Sequence, residues 1–350
     1  MEKKSYKFSG GWLSGFTQSD GCFTVAFDKR DSGLMLRPKP IFVLTQDISE
    51  LDMFKKLHHY LGVGYLTTNK GRSAVSLSVT SLRDISQVLF PIFEGHPLKY
   101  GKLNAYLVFK HIVNMMLKKE HLKLEGLLTI IEAGSTINIE TSRRMVDSKQ
   151  KLIEFLRDKH GLLPSITWPS GLVDISAPYS PSKQVSRPLA EQTDTEKPNF
   201  KQEGLTLDFV AGLIDGDGSF NVSFQHEPTR RVRVNFTVVQ ETACKELLNE
   251  LKTYFGCGNV YDLPSAAGRF QVENVDLMLN RIAPILNKVT FNTQKDEHYK
   301  TIIQVSEIIK SKGYKSDVDF INIIELAYDS NKLGKRRRFT KEEFIARLCS

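Results

Sequence analysis

Two aspartates, each followed directly by a glycine, are the residues of this chain whose type and context could do chemistry. Asp20-Gly21 and Asp217-Gly218 close short segments that carry small residues four positions apart: Gly15 and Ser19 in the first, Gly212 and Gly216 in the second. Small side chains would let two such helices pack closely. The two carboxylates would then meet, and their like charges would repel unless a divalent cation or a metal–phosphate assembly lay there.

The chain repeats itself, and the repeat decides how the elements around these aspartates are organised. The two aspartates are offset by 197 residues, and later pairs in the same order are offset by 194 or 193. Those pairs are Gln46 and Gln240, Gly62-Val63-Gly64 and Gly256-Cys257-Gly258, Pro91 and Pro284, Lys102 and Lys295, and Asn138 and Asn331. The drift implies about three extra residues between the first two markers of the first half.

A segment rich in Ser, Pro, Thr and charge separates the two copies and shows no apolar periodicity. Such a composition is typical of a surface linker. The sequence therefore predicts a first domain over residues 1–164, a linker over 165–203 and a second domain over 204–350.

Each half shows the same coarse order of elements. The motif helix is expected to end at Gly21 or Gly218, as glycine often ends a helix. Two strands follow, in which apolar and polar residues alternate, as Phe220, Val222 and Phe224 do with the residues between them. This period of two indicates a half-buried antiparallel sheet. Helices are expected around Leu51–Leu61 and Lys245–Phe255, so the fold class is α+β with helices on one sheet face.

Composition narrows the class of partner. The chain of 350 residues is 41% hydrophobic and carries a net charge of +8, a surplus that attracts nucleic acid or an anionic surface. No apolar run approaches the roughly 18 residues of a membrane span, so no membrane partner is expected. The cysteines Cys22, Cys244, Cys257 and Cys349 are scattered and form no C-x-x-C pair, which argues against disulfides and a structural zinc site.

The motif segments resemble a known family, the LAGLIDADG homing endonucleases in their single-chain, two-motif form. Residues 210–218, which read VAGLIDGDG, match the name motif nearly letter for letter, and residues 13–21, LSGFTQSDG, are a looser copy. The likeness covers nearly the whole chain, and the segments 118–122 and 331–338 also look like monomeric organellar members. Gln18 departs from the pattern, since the family usually has Asp where Asp215 stands in the second half, and it is expected to alter packing rather than chemistry.

The resemblance implies two pseudo-symmetric domains, each a saddle-shaped antiparallel sheet backed by helices, with the motif helices packed at the domain interface. It implies that Asp20 and Asp217 bind Mg²⁺ together with the main-chain carbonyls of Ser19 and Gly216, each aspartate serving the cut in one DNA strand. It also implies that Gln46 and Gln240 orient the attacking water, and that Lys102 and Lys295 stabilise charge in the transition state or hold the water network.

The polar faces of the sheets are expected to read double-stranded DNA in the major groove, where each base pair shows a distinct donor and acceptor pattern. The residues predicted to do so are Thr24, Asp28, Arg30, Arg37, Lys39, Ser76 and Ser78 in the first half, and Asn221, Ser223, Gln225, Arg231, Arg233, Asn235, Thr237, Arg269 and Gln271 in the second. An ordinary solvated sheet face is the alternative. Because the two faces differ, the DNA site should be long and asymmetric.

The predicted function is a site-specific endonuclease that makes a double-strand break by metal-dependent phosphodiester hydrolysis. An intron RNA-splicing maturase and a catalytically silent DNA-binding protein share the fold and stay open as alternatives. A monomer is expected, in a mitochondrial or other organellar matrix, and intron RNA remains an alternative partner. The basic run Lys335-Arg336-Arg337-Arg338 would contact phosphate, or is a solvated charge run.

Overall fold

The computed structural model describes residues 6–137, 143–161, 204–225, 230–314, 316–330 and 339–346. The predicted linker over 165–203, the marker pair Asn138 and Asn331, and the basic run at 335–338 lie outside the described residues.

The first half opens with a helix, builds a four-stranded sheet and ends in long helices. Its elements are α1 (Gly10–Asp20), β1 (Gly21–Lys29), β2 (Leu36–Asp47), α2 (Leu51–Leu61), β3 (Tyr65–Asn69), β4 (Ala74–Val79), α3 (Leu82–Asp84), α4 (Phe90–Gly95), α5 (Tyr100–Leu117), α6 (Leu124–Thr136) and α7 (Arg143–His160). A π-helical turn over Ile85–Leu89 joins α3 to α4.

The second half repeats this order. Its elements are α8 (Leu207–Asp217), β5 (Gly218–Gln225), β6 (Arg231–Glu241), α9 (Lys245–Phe255), β7 (Asn259–Leu263), β8 (Ala267–Val272), α10 (Val275–Leu277), α11 (Ala283–Leu286), α12 (Lys295–Ser311), α13 (Asp317–Ser330) and α14 (Lys341–Ala346). The prediction of two similar α+β halves is confirmed, and the predicted bounds of α2 and α9 agree with the structure.

Both sheets have the same topology. Their strand orders are β1-β2-β4-β3 and β5-β6-β8-β7, and every neighbouring pair is antiparallel. In each sheet one face is apolar and covered by helices, with α2 and α5 on the first sheet and α9 and α12 on the second. The buried side chains Phe23 and Phe42 alternate with half-buried neighbours, as the period-two pattern requires.

The drift between the two copies lies in the first hairpin. Gly21 pairs with Leu44 in the first sheet, and Gly218 pairs with Val238 in the second. The first of these connections is longer by three residues, so the extra residues lengthen the β1–β2 hairpin and leave the later elements in register.

The two motif helices α1 and α8 pack against each other through their backbones. A Cβ on Gly15 would overlap the carbonyl oxygen of Phe209, and a Cβ on Gly212 would overlap that of Trp12. Buried side chains on the flanks of the two helices, such as Phe16 and Leu213, join one hydrophobic core that spans both halves. The predicted interface of small residues is therefore confirmed.

The glycines that end these helices serve a different purpose from the expected one. Gly21 has φ −84° and ψ 142°, and Gly218 has φ −70° and ψ 148°, so both are extended rather than left-handed. A Cβ on Gly21 would lie 2.6 Å from the Thr17 carbonyl oxygen, and a Cβ on Gly218 would lie 2.6 Å from that of Ile214. Glycine is required here by lack of space, since the chain turns directly from helix into strand.

Among the described helices, none combines the length and the apolar character needed to cross a bilayer.

Candidate active site

The first aspartate sits where α1 meets the sheet. Asp20 is the last residue of α1, and Gln46 lies near the end of β2 on the helix-covered face of the sheet. The Gln46 amide donates from Nε2 to Asp20 Oδ2 at 2.6 Å. The amide fixes one carboxylate oxygen and turns the side chain toward the interface with the second half.

The second half repeats this arrangement. Asp217 ends α8, and Gln240 Nε2 donates to Asp217 Oδ2 at 2.5 Å. The Gln240 side chain is buried, with a relative exposure of 5%. Two residues that lie 26 positions apart in one half and 23 in the other are thus brought together by the return of the second strand past the motif helix.

Lys102 and Lys295 each contact the glycine that follows the aspartate of their own half. Lys102 lies in the first turn of α5, and its Nζ donates to the main-chain oxygen of Gly21 at 2.7 Å. Lys295 begins α12, and its Nζ donates in the same way to the oxygen of Gly218. Both ammonium groups therefore lie beside the residue that follows a motif aspartate. The structure gathers the six predicted catalytic residues into two equivalent trios, each of one Asp, one Gln and one Lys.

Burial raises the pKa of both aspartates, and the charge of Asp217 adds to the shift of Asp20. Burial, and then the negative charge of Asp217, raises the pKa of Asp20 to about 7, against the hydrogen bond from Gln46 and the lysine charges. Burial raises the pKa of Asp217 to about 6, and the charge of Lys295 opposes that shift. Burial lowers the pKa of Lys295, while the charges of both aspartates act to raise it. The carboxylates are close enough to interact, as the helix packing predicts.

The two halves also meet at Ser19 and Gly216, the residues immediately before the aspartates. A Cβ on Gly216 would lie 2.6 Å from Asp20 Oδ2 and 2.8 Å from Ser19 Oγ. The Ser19 hydroxyl donates to the Leu213 carbonyl oxygen at 3.1 Å, and its hydrogen bond with Asp217 lowers the pKa of that aspartate. The two predicted main-chain ligands therefore flank the aspartate pair, and only one of them brings a hydroxyl.

The donor set fits a hard divalent cation. Within the described ranges, no three His, Cys, Asp or Glu side chains lie close enough to form a closed metal site. A structural zinc ion needs four such ligands. Mg²⁺ instead keeps several waters and is held by one or two carboxylates together with phosphate oxygens. Two half-buried aspartates that lie close together match the second kind of site.

Gln18, the departure in the first motif, does the same structural work as its counterpart Asp215. The amide of Lys99 donates to Gln18 Oε1 at 3.0 Å. Asp215 accepts the amides of Asn292 and Thr293, each at 2.9 Å. Each side chain holds the chain just before a lysine helix, and Gln18 also donates from Nε2 to Cys244 Sγ at 3.4 Å. The exchange of Asp for Gln changes packing and leaves the aspartate trios intact.

The predicted DNA-reading residues of the first half lie on the sheet face opposite the core. The strand register pairs Asp28 with Arg37 and Thr45 with Ser76, and Arg30 follows β1 at the end of the hairpin. Arg37 and Lys39 are exposed, and Thr24 is half-buried. Ser78 shares the face but is buried, with 9% exposure, so it offers less surface than its neighbours.

The polar face of the second sheet carries the predicted DNA-reading residues of the second half. Its cross-strand pairs place the predicted residues side by side: Gln225 with Arg231, Ser223 with Arg233, Asn221 with Asn235, and Thr237 with Gln271. Arg269 pairs with Tyr261 of β7 on the same face. The exposed residues Asn221, Ser223, Gln225, Arg231 and Arg233 lie on β5 and β6.

A second strand pair was predicted in each half, but no residue of the edge strands β3 and β7 was predicted to read DNA. Tyr65 and Thr67 of β3 pair with Ser78 and Ser76, and Asn259 of β7 pairs with Gln271. Tyr65 and Tyr261 are exposed by 47% and 49%, which is high for tyrosine. The signal was present as alternation just after each Gly-x-Gly turn, but β3 and β7 are five residues long and carry few apolar residues.

One family of known proteins matches the two halves of this chain separately. The family described as LAGLIDADG endonuclease matches residues 13–113 and again residues 210–306. The first match contains Asp20, Gln46 and Lys102, and the second contains Asp217, Gln240 and Lys295. Together the two matches cover more than half of the chain. The chain belongs to the LAGLIDADG endonuclease family.

Curated relatives carry the same kind of name. The chain is 36% identical over 299 residues to a probable intron-encoded DNA endonuclease 1 of Mycosarcoma maydis, with 85% of this chain and 99% of the relative covered. It is 22% identical over 322 residues to a probable intron-encoded endonuclease 2 of Neurospora crassa, with 90% of this chain but 63% of that longer protein covered.

Solved LAGLIDADG structures share the fold. The LAGLIDADG homing endonuclease I-SmaMI bound to cleaved DNA superposes with a TM-score of 0.73 at 20% identity, covering 96% of this chain and 100% of the other. I-GzeII in complex with its DNA target gives a TM-score of 0.70 at 22% identity, covering 95% and 100%. At this level of identity the likeness shows the fold, with its two sheets and paired motif helices.

Proposed function

We propose that this LAGLIDADG chain is a homing endonuclease that makes a double-strand break in one long, asymmetric DNA site. The observation that carries the proposal is that two equivalent trios of Asp, Gln and Lys lie at the ends of two helices in contact. One trio is available for each DNA strand, and both belong to one polypeptide, so a monomer suffices. The names of the relatives, intron-encoded endonucleases, support the same activity.

Asp20 and Asp217 would hold divalent cations, with Mg²⁺ as the physiological ion and the carbonyl oxygens of Ser19 and Gly216 as further ligands. A divalent cation at this position neutralises phosphate charge and makes water more acidic. The Gln46 and Gln240 amides hold each carboxylate in place and can orient the attacking water. The ammonium groups of Lys102 and Lys295 lie at the same edge, where they can stabilise negative charge that develops on the phosphate.

Recognition would fall to the two polar sheet faces. The side chains proposed to read base edges are those predicted from the sequence, with Tyr65, Thr67, Asn259 and Tyr261 added from the outer strands. Arginine suits guanine, while asparagine and glutamine suit adenine. Because the two faces carry different residues, a palindromic target would satisfy only one of them. The organellar matrix is the proposed location, in keeping with the intron-encoded relatives.

Selection of cleaved sequences from a randomised DNA library in Mg²⁺ tests this function. Wild-type protein should recover one long, asymmetric site, and the Asp20→Asn/Asp217→Asn double variant should recover none while still binding that site. If wild type binds DNA without cutting it, the chain is a silent DNA-binding protein. If it prefers a structured intron RNA to every DNA, the maturase function replaces the proposal.

A further inference from the structure

Each lysine-bearing helix begins against the opposite half of the molecule. At the start of α12, the amide of Gln294 donates to Glu50 Oε1 at 2.9 Å. Glu50 belongs to the first half, where it is the residue immediately before α2. Gln294 immediately precedes Lys295, so the contact lies one residue from the lysine of the second trio.

The same contact recurs with the halves exchanged. Cys244 immediately precedes α9 in the second half, and its buried thiol lies against the first turn of α5, within reach of the amides of Gly101 and Lys102. Gly101 and Gln294 are offset by 193 residues, as Lys102 and Lys295 are. Glu50 and Cys244 are offset by 194, as Gln46 and Gln240 are. The two contacts are therefore equivalent under the internal repeat.

Packing around Gly101 shows how close the approach is. A Cβ on Gly101 would lie 2.9 Å from the Cβ of Ala243 and 3.5 Å from Cys244 Sγ. A side chain at this position would push α5 away from the second half. The glycine keeps the amide within reach of the thiol.

We propose that Glu50 and Cys244 are reciprocal positioning residues, each of which fixes the start of the lysine helix in the other half. The role of the lysines themselves rests on the proposed function. The first amides of a helix have no partner within the helix, and an acceptor from outside orders the first turn. Ordering that turn holds Lys102 or Lys295 beside the main-chain oxygen that follows its aspartate. Each cutting centre is then completed by the other half.

The two halves reach this result with different chemistry. Glu50 supplies a carboxylate, whereas Cys244 supplies a thiol. A carboxylate still acts on α5, because Glu250 accepts the hydroxyl of Tyr100 and pairs with Lys99, with 3.6 Å between Lys99 Nζ and Glu250 Oε2. Lys56 occupies the position that corresponds to Glu250 in the first half, at the offset of 194. Glu250 thus supplies at α5 the negative charge that the thiol lacks.

Hydrogen exchange measured by mass spectrometry tests the crossed contacts without requiring cleavage. Cys244→Ala should speed exchange of the amides at 99–102 about fivefold, from the loss of a cap, and leave those at 292–295 unchanged. Glu50→Ala should do the reverse. Cys244→Ser and Glu50→Gln, which keep an acceptor, should restore much of the protection. Cys257→Ala and Asp52→Ala are matched controls that remove a thiol or a carboxylate elsewhere. Equal loosening of both segments in either variant would overturn the crossed arrangement.

Strand-resolved cleavage of the site recovered by wild type tests the functional consequence. With both strands end-labelled, Cys244→Ala and Glu50→Ala should each slow one cut by about tenfold or more, since an ångström of misplacement costs that much. The two variants should leave nicks in opposite strands, and their DNA affinity should match wild type. If both slow the two strands equally, the positioning role is wrong. A wild type that cuts nothing would instead refute the proposed function, and the exchange measurement would still decide the crossed contacts.

Discussion

Trp12 donates its indole N–H to Asp215 Oδ2 at 2.8 Å, from the first motif helix to a fully buried acid of the second. Asp215 also accepts the Thr293 hydroxyl at 2.6 Å and two main-chain amides. Loss of one hydrogen bond to a buried charged group costs about 1.5–3 kcal/mol. We expect Trp12→Phe to lower the free energy of unfolding in urea by that amount. Tyr60→Phe, which removes a polar group from an exposed ring, should cost little, and equal effects would contradict the assignment.

The contact between the motif helices should not tolerate a single added methyl group. Gly15→Ala places a Cβ against the Phe209 carbonyl, which belongs to the backbone and cannot turn aside. We expect a loss of about 3 kcal/mol in the free energy of unfolding, from overpacking. Gly95→Ala is the control, because a Cβ there meets nothing within 4 Å. A Gly15→Ala variant as stable as Gly95→Ala would show that the helices can separate.

Asp20→Asn should convert double-strand cleavage into nicking, or abolish it, while DNA binding persists. The variant keeps the shape of the side chain and removes the charge that a cation requires, so one cut should slow by at least about a hundredfold. Supercoiled plasmid carrying the target separates nicked from linear product. Asp158→Asn, which alters an exposed acid of α7, should cut like wild type. Full linearisation by Asp20→Asn would remove Asp20 from the catalytic assignment.

The raised pKa values of the two aspartates predict that Mg²⁺ binding depends on pH. Asp20, with its pKa near 7, and Asp217, near 6, retain protons that a cation must displace. Apparent Mg²⁺ affinity in the cleavage assay should therefore fall about tenfold for each pH unit and proton displaced below these values. Affinity that does not change between pH 8 and pH 6 would contradict the burial of the pair.

The same shifts predict how stability changes when cations are removed by chelation. A carboxyl whose pKa is raised by folding stabilises the fold fully below its unfolded value, 3.8, and loses that contribution as pH rises through about 6 to 7. The melting temperature in chelator should therefore be lower at pH 8 than at pH 5, and Mg²⁺ should restore it. Asp20→Asn should make the melting temperature in chelator depend less on pH. If the variant shows the same dependence as wild type, the raised pKa of Asp20 is not its cause.

The polar face of the second sheet should lose affinity when one arginine is removed. Arg233 is exposed on β6 and paired across strands with Ser223. If its guanidinium reads a base, Arg233→Ala should weaken binding by about 1–3 kcal/mol and relax specificity at one base pair. Lys252→Ala removes the same charge from α9, on the opposite side of the sheet, and should change affinity little. An equal loss of affinity for all DNA sequences would show that Arg233 contacts a phosphate and not a base.

Local patterns were enough to predict the elements, because their causes are local. The spacing of apolar residues gave the bounds of α2 and α9, and the alternation in β6 gave the polar face. The internal repeat matched Asp20 with Asp217 and Gln46 with Gln240, and the family resemblance gave the two glutamines a role in cleavage beside the aspartates. The reason for Gly21 was not predicted. It is glycine because the Thr17 carbonyl leaves no room for a Cβ, and such a distance cannot be inferred from a sequence pattern.

Contacts between distant segments could not be predicted in this way. Gln18 meets the amide of Lys99, 81 residues away, and Glu50 meets Gln294, 244 residues away. Neither contact is favoured by local propensity. The first depends on how α1 packs against the start of α5 within one half, and the second depends on how the two halves are docked. The polar faces of β3 and β7 were missed for a related reason: an edge strand of five residues is recognised mainly through the strand beside it.

Gly15 and Gly212 let the backbones of the two motif helices touch. The position of the two carboxylates is therefore set by different parts of the chain from the proposed recognition of DNA sequence. Main-chain atoms form the contact between the helices, so we expect most side-chain substitutions to leave the separation of the two carboxylates unchanged. The side chains proposed to read DNA lie on the strands and can change one at a time. If the proposed function holds, a lineage of such proteins would acquire new DNA sites while the spacing between the two cuts stays the same.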